Sequence, residues 1–291
     1  MDRFKEVSNN YQGTPTPLLM YAEALMHASN AQDHVADAEM STVLSRCALN
    51  EHRPDLVEHW TIKRCITPCA EVAHELVAYS ETNPQHQALC LFTAQSIFTE
   101  VKSHMDACVT MYKLGHLGGL VDYAKNVAQF TRMEFLNLIQ RCPNSSLMWS
   151  LCRPPAELTP DPQEQRDPNL PIYQLYALPL RVDQAIVSLI SSSEVGKSVA
   201  VDVIDDLYQG VIVSEDVVTT ETLFEVVYDE TDGDLPPNDT DDWSCVIKFC
   251  SSNQLIDAAL EIQASRIVKV AVTKSLQAIA LDEKEEFDYY T

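Results

Sequence analysis

The residues best suited to chemistry by type and spacing are two cysteines and two histidines near residue 60. Three residues separate Cys65 from Cys69, and His52 and His59 precede them closely. Structural zinc sites favour two closely spaced ligand pairs, typically of the CxxC kind. The spacing here departs from that pattern, and Pro68 interrupts any helix between the cysteines. We therefore interpret these side chains as packing and surface groups and predict no metal site.

A second candidate is the segment Gly196-Lys197-Ser198, which matches the last three residues of a phosphate-binding loop. That loop needs a first glycine at position 191, where this chain has Ser191, and it must follow a strand. The preceding residues, DQAIVSLI, have the apolar spacing of a helix. The match is therefore interpreted as chance, and we predict no nucleotide cofactor.

Two further patterns concern calcium binding and nucleophilic catalysis. Residues 229–234, DETDGD, suggest a calcium loop, but the twelfth position is Thr240 instead of the glutamate that such a loop requires. For nucleophilic catalysis there is no GxSxG or similar nucleophile turn. We predict no catalytic residue, no cofactor and no metal, and therefore a protein that is not an enzyme.

Composition narrows the choice of function and fold. The chain carries 43 Asp+Glu against 20 Lys+Arg, a formal net charge of −23, which repels nucleic acid and anionic membrane surfaces. Residues 1–150 hold 16 acidic and 11 basic residues, whereas residues 151–291 hold 27 and 9. Only 7 glycines are present, which disfavours hairpin-rich β folds and indicates a helical protein.

The elements that would position any site are short helices. Apolar residues recur at helical spacing in blocks separated by helix-ending residues such as Asn83-Pro84, Gly115-His116 and Cys142-Pro143. None of these helices could bury its apolar face alone, so we predict an α-solenoid of stacked antiparallel hairpins. The predicted helices begin at Pro17 and continue at 40–49, 54–62, 69–79, 85–98, 102–114, 117–127 and 131–141.

The second half of the chain differs in composition and in its predicted elements. Six prolines in 153–171 predict an extended linker. Helices are predicted around 182–190 and 199–208, while the β-branched segment 211–230 fits either a strand or a helix. Residues 229–242 predict an acidic loop, and a final pair of amphipathic helices is expected from about 244 to 281.

No leader or membrane-spanning pattern is visible in the sequence. The first residues lack an apolar core, and no apolar run approaches the 18 or more residues that a membrane span needs. The nine cysteines are therefore predicted to be reduced thiols, several of them, such as Cys90 and Cys108, in the core. We expect a cytoplasmic protein without a transmembrane segment.

Four segments in order resemble one known family. They are FKEV from Phe4, GTPTPLLMY from Gly13, RPDLVEHW from Arg53 and YKLGHLGGLVDYAK from Tyr112. Together they resemble the linker and first leg repeats of the clathrin heavy chain, and most closely the clathrin heavy chain linker domain-containing proteins. The resemblance covers residues 4–145 and implies a zigzag of short helices that serves as a scaffold in coat-type assemblies.

The resemblance defines the expected domains. They are a clathrin-linker-like helical repeat domain at 1–152, a Pro-rich linker at 153–171, an acidic C-terminal helical region at 172–281 that contains loop 229–242, and a charged tail at 282–291. Trp60, Tyr112 and Tyr123 are the candidate partner-binding residues. For Trp60, core packing with Leu56 and Val57 is the favoured interpretation, since large aromatic residues prefer buried sites, and partner binding is the alternative.

We therefore expect a non-enzymatic helical scaffold for protein–protein interaction in vesicle coat or trafficking assemblies. One alternative is a small-molecule hydrolase or another enzyme with its site in the C-terminal half, which would require convergent polar groups with shifted pKa values. Another is a regulatory adaptor whose acidic half binds basic surfaces.

Overall fold

A computed structural model of the chain describes residues 17–31, 35–152, 180–210, 212–213, 218–219, 222–231 and 242–288. These residues are helical apart from turns, short extended links and one two-residue hairpin, so the predicted all-α class is confirmed. The chain divides into two compact units, Met1–Ala128 (unit 1) and Gln129–Thr291 (unit 2). Each unit is described by itself.

Unit 1 is a succession of short helices whose bounds follow the sequence pattern closely. They are α1 (Pro17–Ala31), α2 (Ala38–Asn50), α3 (Pro54–Ile62), α4 (Ala70–Thr82), a 3-10 turn (Pro84–His86), α5 (Gln87–Glu100), α6 (His104–Lys113), α7 (Leu117–Asp122) and a π-helix (Tyr123–Val127).

Local sequence explains these boundaries. Helices α1 and α3 both begin at a proline, whose fixed φ suits the first helical position. Asp37 caps α2 by accepting the N–H of Met40 over 2.8 Å. Gly115, with φ at +75°, ends α6 as the sequence predicts for a Gly-His turn.

Three connections in unit 1 share one backbone conformation, and we call them the three-residue links (51–53, 101–103 and 114–116). The middle residue of each is left-handed, with φ between 57° and 75°. The third residue has ψ between 61° and 71° and leads directly into the next helix. Its N–H donates over 2.9 to 3.0 Å to the carbonyl five residues earlier, as in a Schellman motif. The residues at the left-handed position are His52, Lys102 and Gly115.

Packing in unit 1 runs mainly between helices one or two places apart along the chain. Helix α2 packs on α3 and α4, α3 on α5, α4 on α5, and α5 on α6. The core is formed by fully buried apolar side chains of successive helices, among them Val57, Val72, Leu76, Ile97 and Leu120. Each helix thus buries its apolar face against its neighbours, which is the condition that the sequence pattern implied.

Unit 2 is a second helical assembly. Its elements are α8 (Arg132–Arg141), α9 (Ser145–Cys152), α10 (Val182–Ile190), α11 (Glu194–Gln209), strands β1 (Ile212–Val213) and β2 (Val218–Thr219), α12 (Leu223–Glu230), α13 (Asp242–Ser252) and α14 (Ile256–Asp288). Helix α10 packs on α8, α9, α11 and α13, and α14 packs on α11, α12 and α13. The two strands pair antiparallel, with Ile212 opposite Thr219.

Several predictions for this part of the chain can be compared with unit 2. The predicted helix 182–190 matches α10, and the ambiguous segment 211–230 contains the small hairpin followed by α12. Helix α9 was not predicted, although Asn144 caps it by accepting the N–H of Leu147 over 2.9 Å. The predicted linker 153–171 lies outside the described residues, and the division between the units falls at 128/129.

Candidate functional site

An open groove of about 410 Å³ lies in unit 1 beside α5, α6 and α7. Four elements supply its lining: α5, α6, the link 114–116, and the continuous run of α7 and the π-helix. The lining residues are Gln95, Met111, His116, Gly119, Asp122, Tyr123, Asn126 and Val127.

The π-helix shapes one wall of this groove. The N–H of Ala128 donates to the carbonyl of Tyr123 over 2.9 Å, a bond that spans five residues instead of the usual four. The wider turn displaces the following side chains, and Tyr123, Asn126 and Val127 all line the groove. Single π-turns of this kind are frequent at functional sites.

The polar chemistry of the groove favours a ligand that donates hydrogen bonds. The Oε1 atom of Gln95 is buried and has no hydrogen-bond partner among the described residues. The Asp122 carboxylate and the Asn126 amide add further acceptors, while Met111 and Val127 supply apolar surface. Because the Gln95 oxygen is buried, the acceptors that a ligand can reach directly are those of the exposed Asp122 and Asn126 side chains.

Two side chains of the groove are held by neighbouring rings. The Tyr123 hydroxyl lies 2.7 Å from Nδ1 of His104, and burial raises the pKa of the Tyr123 phenol above its ordinary value. The ring of His116 lies 5.7 Å from that of Phe92, measured between centroids. These contacts fix the walls while the groove stays open to one side.

The three predicted partner-binding residues occupy different environments. Trp60 is buried in the core of unit 1 with 3% of its surface exposed, together with Val57. Tyr112 is half-buried in α6 and does not line the groove. Tyr123 lines the groove although it is largely buried. The structure therefore brings only Tyr123 of the three to this site.

Three glycines, at positions 115, 118 and 119, lie near the groove. Gly115 provides the turn. Gly118 and Gly119 do not serve a close approach, because a Cβ at either position would have no atom within 4 Å. Their open surroundings leave that side of α7 unobstructed, with Gly119 at the groove.

Sequence reasoning missed Gln95 and Asn126 as groove residues. Gln95 lies in the mostly apolar helix α5, and the lack of a partner for its acceptor depends on tertiary packing. The π-turn that places Asn126 has no distinct sequence pattern. The one available signal was the segment 112–125, singled out for its resemblance, which contains His116, Gly119, Asp122 and Tyr123.

The candidate metal ligands have structural positions. Cys65 and Cys69 are buried, and Cys69 lies at the N-terminus of α4. His52 is at the left-handed position of a link, with Nδ1 3.1 Å from the Tyr79 hydroxyl. Among the described residues, no three His, Cys, Asp or Glu side chains converge to hold a metal ion. All nine cysteines are free thiols.

The segment Gly196-Lys197-Ser198 lies inside α11, and the residues before it form α10, as predicted. A Cβ at Gly196 would lie 1.9 Å from the Ser192 hydroxyl and 2.6 Å from the Leu189 carbonyl. Glycine is therefore required here by the tight turn between two helices. The suggested calcium loop falls mostly on residues outside the described part of the chain.

Within the described part of unit 2, three charged side chains, Arg181, Asp183 and Glu230, meet at the start of α10. Both oxygens of Glu230 accept backbone N–H bonds, from Val182 over 2.7 Å and from Asp183 over 3.3 Å. The Asp183 carboxylate is buried and bound by Arg181 over 2.5 and 3.1 Å. Burial raises the pKa of Glu230 to about 7 and raises that of Asp183. These carboxylates hold the ends of α10 and α12 together, which is a structural role.

Comparison with known proteins adds no family. No protein-family model matches the chain, and no solved structure matches it. Within the described ranges, no helix is both long enough and apolar enough to cross a membrane.

Proposed function

We propose that the protein is a non-enzymatic helical-repeat scaffold and that unit 1 binds an extended segment of a partner protein in the groove beside α5, α6 and α7. The observation that carries this proposal is the open groove, whose lining includes the exposed polar side chains of Asp122 and Asn126. An enclosed pocket would suit a small molecule, whereas an open one leaves both ends of a bound chain free.

The arrangement of unit 1 supports a solenoid of hairpins as the scaffold. The main packing partners of each helix lie one or two helices away along the chain. The three-residue link occurs three times with one conformation, although the sequence has no fixed repeat. In a solenoid each repeat contacts its neighbours and leaves a continuous surface for binding.

The groove chemistry defines the partner segment. Asp122 and Asn126 offer exposed acceptors, so the segment should carry a lysine or arginine, or free backbone N–H groups, beside an apolar side chain. The net charge of −23 attracts basic segments over a longer range and increases their association rate.

The resemblance of residues 4–145 to the clathrin heavy chain linker supplies the class of partner that we propose. Coat and vesicle-trafficking proteins in the cytoplasm are the first partners to test. The segment that occupies the groove can then be mapped on whichever of these proteins binds.

A matched pair of variants tests the proposal. Gly119→Arg places a long side chain in the groove, and Gly118→Arg places the same side chain next to it on α7. Neither added Cβ meets an atom within 4 Å, so both variants should fold. We expect wild type and Gly118→Arg to co-purify coat or trafficking proteins from cell extracts, and Gly119→Arg to lose them.

Two outcomes would contradict the proposal. If no coat or trafficking protein is recovered with wild type, the proposed partner class is wrong. If Gly119→Arg recovers the same proteins as wild type, the partner binds elsewhere and the groove is not the site. Circular dichroism of each variant provides the folding control.

A further inference from the structure

Helix α14 continues well past the bundle that it packs against. It has 33 residues, Ile256–Asp288. Its buried side chains all lie in its first third: Ala258, Ala259, Ile262, Ser265 and Arg266. None of the side chains described from Ile267 to Ile279 is buried. At 1.5 Å per residue, about 33 Å of helix follows Arg266.

An apolar face runs along this later part of the helix. Val268, Val272, Leu276 and Ile279 are between 40% and 61% exposed. Their spacing of four, four and three residues places them on one side of an α-helix. We call these four residues the C-terminal stripe.

The stripe needs a partner for physical reasons. Isolated helices are marginally stable in water, and most helical stability in proteins comes from packing of an apolar face. Beyond Arg266 no described side chain is buried, and the contact of Lys269 Nζ with the Tyr228 ring, 4.4 Å from its centroid, adds little such stabilisation. The contiguous exposed valine, leucine and isoleucine side chains therefore mark an interaction surface.

Charge along the helix identifies the partner. Residues 267–281 contain two charged residues, Lys269 and Lys274, and no acid. Residues 282–288, DEKEEFD, contain five acids and one lysine. A cationic segment is thus followed directly by an anionic one on the same helix. An antiparallel second copy of this helix presents the complementary charge to each segment, whereas a parallel copy places like charges together.

We propose that the C-terminal stripe of α14 pairs with the same stripe of a second copy of this chain in an antiparallel helical dimer. Placing position 269 opposite position 282 of the second copy puts the two-fold axis between Ser275 and Leu276, and the two stripes then overlap from Val272 to Ile279. In that register Val272 faces Ile279 of the other copy. The interface is isologous, as in most homodimers. It is independent of the groove in unit 1.

The dimer is expected to be weak. Each copy contributes four apolar side chains that are about half exposed, and two copies with a net charge of −23 repel one another at long range. Sedimentation equilibrium of the full chain, from about 1 to about 200 µM, covers the range in which such an interface associates.

Leu276 and Leu260 form a matched pair for the test. Both are 61% exposed on α14, and only Leu276 belongs to the stripe. We expect Leu276→Glu to raise the dimer dissociation constant at least tenfold, and Leu260→Glu to leave it within about twofold. A monomeric wild type, or equal effects of the two substitutions, overturns the proposal.

Disulfide trapping tests the orientation. Cys47→Ser and Cys245→Ser remove the two cysteines that are not buried. In this background Ser275→Cys lies at the two-fold axis and should cross-link, whereas Val268→Cys is about 22 Å from its equivalent and should not. Cross-linking through Val268→Cys as efficient as through Ser275→Cys indicates a parallel pair and overturns the antiparallel dimer.

Discussion

Glu230 is the side chain whose ionisation bears most directly on stability. Its carboxylate joins the end of α12 to the first N–H groups of α10, and burial raises its pKa to about 7. In the unfolded chain its pKa returns to about 4.5. Because the folded state binds this proton more tightly, the contribution of Glu230 is fully present below about pH 4.5 and is lost as the pH rises through 7.

Glu230→Gln is therefore expected to remove part of the pH dependence of folding. Relative to wild type, the variant should gain roughly 2 kcal/mol of unfolding free energy between pH 5 and 7.5. Urea denaturation at the two pH values measures this difference. Arg181, Asp183 and Asp242 face the same cluster, and their contributions are common to both proteins. A pH-independent difference between variant and wild type would contradict the assignment.

Trp60 was a candidate for partner binding and lies instead in the core of unit 1. We expect Trp60→Ala to lower the free energy of unfolding by about 3–5 kcal/mol, through lost apolar contacts and the cavity left behind. Ile62→Ala on the same helix is the control, because Ile62 is 71% exposed and its substitution should cost less than about 0.5 kcal/mol. Chemical denaturation of both variants measures their free energies of unfolding and distinguishes the two expected losses.

At the scale of elements, the three-residue links determine where one helix ends and the next begins. Two of them place a residue with a Cβ, His52 or Lys102, in the left-handed conformation that glycine adopts most easily. The low glycine content correctly disfavoured a hairpin-rich β fold. It did not reveal that helix ends of this chain also use positive φ. Each such residue is mildly strained.

Exchanging the residue types between two links tests this strain. Lys102→Gly should raise the free energy of unfolding by about 0.5 kcal/mol, and Gly115→Lys should lower it by about 1 kcal/mol. A Cβ at Gly115 meets no atom within 4 Å, so we assign the loss to the backbone conformation. Thermal unfolding of both variants gives the signs, and a stabilising Gly115→Lys would show that the links carry no strain.

The helices of unit 1 were predictable because their causes are local. Residues close together in sequence determine the apolar spacing, the helix starts at Pro17 and Pro54, and the turn at Gly115. The groove was not predictable, because its π-turn has no distinct sequence pattern and the burial of the Gln95 acceptor depends on how neighbouring helices pack. The burial of Trp60 was decided by tertiary contacts, and the residue type allowed both outcomes.

At the scale of the whole molecule, the net charge of −23 opposes compaction. The ion pairs that salt would weaken, such as Arg46–Glu75, Lys113–Glu81 and Lys197–Glu194, involve partly exposed side chains and contribute little each. Added salt should therefore stabilise the fold, because it screens the net repulsion more than it weakens these ion pairs.

We expect the melting temperature at pH 7 to rise when NaCl is increased from about 20 to about 500 mM, since the Debye length falls well below 10 Å. Differential scanning calorimetry measures the shift. A melting temperature that falls with salt would mean that specific ion pairs outweigh the net repulsion.

The order of helix packing in unit 1 also bears on how quickly it can form. Since each helix finds its main partners one or two helices away, the chain segments that must close between contacts are short. Loop-closure entropy is then lost in small steps, and folding rates rise as contacts become more local. Unit 1 should therefore assemble rapidly by adding helices to a growing stack, with nucleation possible at any adjacent pair.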